Sequence, residues 1–218
     1  MKIAPMNHTN QVFLHFRSQG SKVERYGLVE HTGVQAIAGS LFHEWIRTPE
    51  TSDISSLEGI PFCYSENIYF LQSDGQVTHH KSAAHFRTDI LAPSMGEPIL
   101  HIALVCGNRC GYGSSSQMRI LGFTWLADHQ CAASPCYAAQ TLQLSSFLLC
   151  SPPKALEVET TAGRQVLPFD SGMLFPLAGQ MGSAYTFYPG DIIALPVTPP
   201  VPPVTAVFCG NHREPLIR

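Results

Sequence analysis

The chain has 218 residues, 44% of them apolar and only 13% charged, with a formal net charge of −3. That length suits one domain, since all-β domains commonly run to about 200–250 residues. The charge balance excludes a general nucleic-acid binder, which needs a basic face, and no run of about 18 apolar residues is present to form a membrane-spanning helix.

From the N-terminus, QVFLHF (Gln11–Phe16) and VERYGLV (Val23–Val29) read as strands divided by a polar turn. Val34, Ile37, Ala38, Leu41, Phe42 and Trp45 then recur at helical spacing, with Thr32 and Gln35 as a capping box and Thr48-Pro49 as a stop. The spacing predicts one amphipathic helix over about 33–47. His43 and Glu44 fall off its apolar face, and Arg47 stands where a second histidine would be needed for a metalloprotease pair.

Residues 49–60 form a polar loop. Asn67–Gln72 and Gln76–His80 flank Ser73-Asp74-Gly75, a strong hairpin signal. His79, His80 and His85 lie close in sequence, but neighbours on a strand point to opposite faces, so the first two do not share an ion readily. ILHIALVC (Ile99–Cys106) is a nearly continuous apolar run suited to a strand buried on both faces, with His101 as a hydrogen-bonded core histidine. Met118–Leu126 reads as a strand, while Thr141–Leu149 fits strand or helix equally. Ala155–Thr160 and Arg164–Phe169 form a second hairpin, and Val204–Cys209 a last strand. The predicted architecture is mainly β: a single-domain β-barrel or jelly-roll-like sandwich over 1–218, carrying the one helix.

Two cysteine pairs, Cys106 with Cys110 and Cys131 with Cys136, could together supply four thiolates to zinc. Their spacing departs from the usual knuckle, so buried free thiols are expected and no cofactor, with zinc as the alternative. Seven cysteines behind a start, MKIAPMNHTN, that lacks an apolar signal core predict reduced thiols and an intracellular location, cytoplasmic or nuclear.

The stretch SAYTFYPGDIIALPVTPPVPPV (Ser183–Val204) places the turn Pro189-Gly190-Asp191 between Tyr185–Tyr188 and Ile192–Val197, then adds a proline cluster. Pro189, Gly190, Asp191, Ile192, Ile193, Ala194 and Leu195 resemble the fourth motif of the trimeric dUTPase family. TDILAP (Thr88–Pro93) resembles its first motif, with Asp89 as the matching acid. Ser114, Ser115 and Ser116 stand near the phosphate motif without its Pro-Arg, and Asp170 stands near the place of the catalytic aspartate without its tyrosine. The resemblance covers about 89–205, leaving 1–88 as an extension with strands and the helix.

It implies a dUTPase-like β fold that has lost its nucleotide site, of the kind carried by herpesvirus- and adenovirus-type viruses. The expected function is then protein binding, possibly of host factors, rather than catalysis. A surface poor in charge and the prolines Pro199, Pro200, Pro202 and Pro203, beside Gly190 and Asp191, mark the expected binding region. Asp89 and Asp170 remain as catalytic remnants. The alternatives are a nucleotide pyrophosphatase with altered motifs and a zinc-stabilised subunit of a nucleoprotein complex.

Overall fold

The computed structural model describes residues 3–4, 11–72, 75–81, 85–86, 98–114, 116–129, 141–170, 173–197, 203–209 and 211–216. The architecture is mainly β, as the alternating and continuous apolar runs require. A 14-stranded mixed sheet has as its main path Trp45–Ser52, Gly33–Gly39, Glu24–Glu30, Val12–Ser18, Phe147–Leu149, Met118–His129, Ile99–Cys106, Ile192–Pro196, Asn67–Leu71 and Val77–Lys81. Strands from before and after residue 89 therefore share one sheet. Among the described helices none is long and apolar enough to cross a membrane.

The centre of the sheet is its most apolar part. Ile99–Cys106 pairs antiparallel with Met118–His129 on one side and with Ile192–Pro196 on the other, and is buried from Leu100 to Cys106. A strand covered on both faces has no use for polar alternation. On one face, Ala103, Val105, Leu126 and Ala194 join Phe13, Ile37, Ile68 and Phe70 in one core. Residues from both ends of the strand path meet there, so the sheet curls around that core. On the other face, Leu100, Ile102 and Trp125 pack against Leu156, Val158, Val204 and Val207.

Those last four belong to a second sheet of four strands, ordered Gly163–Pro168, Ala155–Thr160, Val204–Cys209 and His212–Pro215. Ala155–Thr160 alternates strictly between buried and half-buried positions, the pattern of a sheet with one face on the core. Burying an aromatic such as Trp125 or Phe123 contributes about 1.5–3 kcal/mol.

The helix expected over 33–47 is instead a pair of antiparallel strands, Gly33–Gly39 and Trp45–Ser52. Gly33, at φ 146°, closes a two-residue turn after Glu30, and Gly39 has φ 99°. An added Cβ at Gly33 would lie 2.4 Å from the Ser52 carbonyl oxygen. A register shift between Gln35 and Ile37 breaks the period-two alternation, which is how the apolar positions came to mimic a helical stripe. The described α-helix lies elsewhere, at Leu174–Met181, and seats Leu174, Ala178 and Met181 against Leu104, Ile120 and Phe123.

Candidate functional site

One end of the central strands gathers titratable groups on the concave face. Direct partners in an antiparallel pair share a face. Ile99 faces Asp128 and His101 faces Leu126 in the register, which places Asp128 and His101 diagonally on one face. On the far side of Asp128 the partner is Leu142. Asp128 and His101 are 4% and 6% exposed.

Burial pushes the Asp128 carboxyl up to about 6, because an ion in an apolar setting lacks its hydration. The same cause pulls His101 down to about 4, against the small opposing effect of its hydrogen bond to Ile99. That bond runs from His101 Nδ1 to the Ile99 carbonyl oxygen, 3.1 Å. A carbonyl can only accept, so Nδ1 carries the proton and Nε2 presents a lone pair. The Phe70 ring meets the imidazole edge-on at 5.0 Å. The pair is thus a carboxyl group and a neutral imidazole of fixed tautomer, set on adjacent strands of one face.

A second polar cluster lies across the sheet. Glu214 accepts from Trp125 Nε1 at 2.8 Å, from Ser146 N at 2.9 Å, and from the hydroxyls of Ser145 and Ser146. All its acceptor directions are taken, so this carboxylate ties His212–Pro215 to the strand junction around 145–146. Burial still raises its pKa, against those donors. It borders a cavity of about 510 Å³ whose other walls include Leu14, Ile60, Phe147 and His212. On that side too, the Gln143 side chain hydrogen-bonds His129, and its Nε2 donates to the Pro215 carbonyl oxygen at 2.9 Å. Burial is the larger influence on His129 and lowers it.

The residues singled out from the sequence fall partly inside and partly outside the described residues. Asp89, Pro199, Pro200, Pro202, Cys131 and Cys136 lie outside the described residues. Asp170 is exposed, and its backbone carbonyl oxygen accepts from Met173 N at 3.2 Å. Pro203 accepts from Thr161 N at 3.2 Å. Gly190 and Asp191 are built into the sheet end. Gly190 N donates to the Cys106 carbonyl and Cys106 N to the Asp191 carbonyl, both at 2.8 Å. The Asp191 carboxylate accepts from Asn67 Nδ2 at 3.0 Å and from Tyr188 N at 2.9 Å.

Cys106 and Cys110 are buried free thiols, both pushed up by burial, Cys110 to about 11. Among the described residues no three His, Cys, Asp or Glu side chains assemble as a metal site. Neither Asp128 nor Glu214 sits in a recognisable motif of the sequence. The available signal for Asp128 was an acid ending a long apolar strand, FTWLAD.

No family model and no curated protein sequence matches the chain. Solved structures do. A 2-hydroxyhepta-2,4-diene-1,7-dioate isomerase from Mycobacterium marinum superposes with TM-score 0.62 at 15% identity, covering 86% of each chain. A 5-carboxymethyl-2-hydroxymuconate delta-isomerase from Mycobacterium smegmatis gives 0.63 at 13% identity, over 94% of this chain and 90% of that one. A maleylpyruvate hydrolase from Sphingobium, solved with manganese(II) and pyruvate, gives 0.53 at 13% identity, over 84% of this chain and 87% of that one.

These neighbours are fumarylacetoacetate hydrolase/isomerase-family proteins and overturn the dUTPase resemblance. The shared Pro-Gly-Asp turn is a local solution for ending one strand and starting another, and does not specify which sheet it serves. Since the neighbours are enzymes, they also overturn the expectation of a non-enzymatic viral module that binds host factors. At these identities the likeness is one of fold, and the chain carries the fold of those isomerases and hydrolases.

Proposed function

We propose that the chain is an enzyme that moves a proton on a small unsaturated 2-hydroxy or 2-oxo acid, an isomerase of the keto–enol type. The observation that carries this reading is the placement of Asp128 and His101 on one face at one end of the central strands. The named reactions of the isomerase neighbours supply the substrate class. Isomerisation asks only that a proton leave one atom and arrive at another, which one carboxyl group and one oriented imidazole can do. In its protonated form Asp128 delivers the proton to carbon, and as carboxylate it removes one. A carboxyl near 6 populates both forms around neutral pH. His101 Nε2 accepts the hydrogen bond of the substrate's enol hydroxyl and takes its proton as the ketone forms. The five described cysteines are free and buried, which supports a reducing, intracellular setting.

The test is deuterium incorporation from D2O at the carbon next to the carbonyl of a short 2-oxo acid, followed by proton NMR. Wild-type protein should exchange faster than buffer, and Asp128→Asn should lower the rate by about 100-fold or more. Wild-type exchange that survives Asp128→Asn unchanged would refute the assignment, as would a wild-type rate equal to that of buffer.

A further inference from the structure

The cavity of about 510 Å³ beside Glu214 has room for a small organic molecule, since ligand pockets run from about 300 to 1,000 Å³. Neither Asp128 nor His101 lines it. Ile54, Leu57, Gly59, Ile60 and Pro61 give it an apolar wall that can cover a hydrocarbon body. Ser146, His212 and Glu214 bring acceptor groups to the same space. Burial lowers the His212 pKa, so at neutral pH its ring is uncharged and carries one acceptor nitrogen. Glu214 takes hydrogen bonds from Trp125 Nε1, Ser146 N and the hydroxyls of Ser145 and Ser146. Those donors are all neutral, so they favour the carboxylate without cancelling its charge. Glu214 is half-buried where it borders the cavity, and a charge there is screened less than in water. Arg213 also belongs to the lining, but its guanidinium donates to the Glu159 carboxylate at 2.7 and 3.1 Å. That pair is close to neutral towards the cavity, so among the lining residues Glu214 sets the sign of the field.

We infer that this cavity binds a small organic cation, an ammonium group on a short aromatic or aliphatic body. The inference stands apart from the reaction proposed for Asp128 and His101. The acceptor directions of Glu214 are filled, so its carboxylate attracts the cation by charge across the cavity rather than by a further hydrogen bond. The Ser146 hydroxyl gives its proton to Glu214, which leaves its oxygen lone pairs to accept from the ammonium. The body of the ligand packs on Leu57 and Ile60. Residues 54–61 and the strand His212–Pro215 lie far apart in the chain, so a bound molecule bridges them and stabilises the fold by mass action. The same charge repels a carboxylate, so acids of the proposed substrate class are excluded from this cavity.

The experiment is a calorimetric titration of the full chain with three probes of one shape, 2-phenylethylammonium, 2-phenylethanol and phenylacetate, paired with melting temperatures. The ammonium should bind one per chain, at least about tenfold tighter than the alcohol, and raise the melting temperature. Phenylacetate should not bind. Glu214→Gln should bring the ammonium down to the affinity of the alcohol. Leu57→Trp, which fills the cavity from its apolar wall, should abolish the binding of both. Wild-type protein that binds no ammonium would overturn the inference, as would alcohol or phenylacetate binding as tightly. Unchanged ammonium binding by Leu57→Trp would place the cation outside the cavity and overturn it too. The wild-type comparison needs no variant, so it decides the matter even where Glu214→Gln fails to fold.

Discussion

Replacing Asp128 by Asn and His101 by Gln, one at a time, should tilt the pH dependence of stability in opposite directions. Both groups are buried, and burial disfavours whichever form is charged. Asp128 sits at about 6 against an ordinary 3.8, so the folded chain holds that proton more tightly than the unfolded chain does. Its contribution is full below the ordinary value and is lost as pH rises towards about 6. His101 sits at about 4 against 6.5, so there the unfolded chain holds the proton more tightly. Its contribution is full above the ordinary value and is lost as pH falls towards about 4.

A displacement of roughly two pH units is worth about 3 kcal/mol, so the two effects are of similar size and oppose each other across one window. Urea denaturation followed by tryptophan fluorescence, repeated from acid to neutral pH, isolates each. The stability of wild type minus that of Asp128→Asn should fall by about 3 kcal/mol as pH rises. Wild type minus His101→Gln should rise by about as much. An ion pair between the two would shift both groups the other way. Difference curves of reversed sign would therefore show that charge pairing, and not burial, governs this end of the sheet.

Three further outcomes follow from the packing. Glu214→Gln should cost about 1–3 kcal/mol in the same denaturation assay, because the amide must turn its NH2 towards Trp125 Nε1 or Ser146 N, both obligate donors. A loss below about 0.5 kcal/mol, within the range of neutral surface changes, would deny that ion its stapling role. Gly122→Ala should destabilise by about 1–3 kcal/mol, since an added Cβ would lie 2.5 Å from Leu148 Cγ and 2.7 Å from the Leu149 carbonyl oxygen; unchanged stability would mean the strand pair can separate freely. Of the seven cysteines, Cys63, Cys106, Cys110, Cys150 and Cys209 are buried with thiols pushed up by burial. A thiol reagent at mildly alkaline pH should therefore label at most the remaining Cys131 and Cys136 before unfolding, with mass spectrometry counting the adducts.

The sequence by itself determined the fold class and most of the strands. Ile99–Cys106 and Val204–Cys209 are strands with the boundaries read from their apolar runs, and the hairpin at 155–168 follows from its alternation. Those patterns are local, and period two or continuous burial is written into neighbouring residues. Residues 33–47 show where local pattern fails, because a register shift and two left-handed glycines give a bulged hairpin the spacing of a helix. Pro189-Gly190-Asp191 fails differently: the turn is local chemistry, but which strands it serves is set by hydrogen bonds to Cys106 and Asn67, far away in sequence. The candidate site lay beyond the sequence for the same reason. Asp128 and His101 are 27 positions apart, and only the pairing of Ile99 with Asp128 sets them on one face. Only burial by the strands around them raises the proton affinity of Asp128 and keeps His101 neutral.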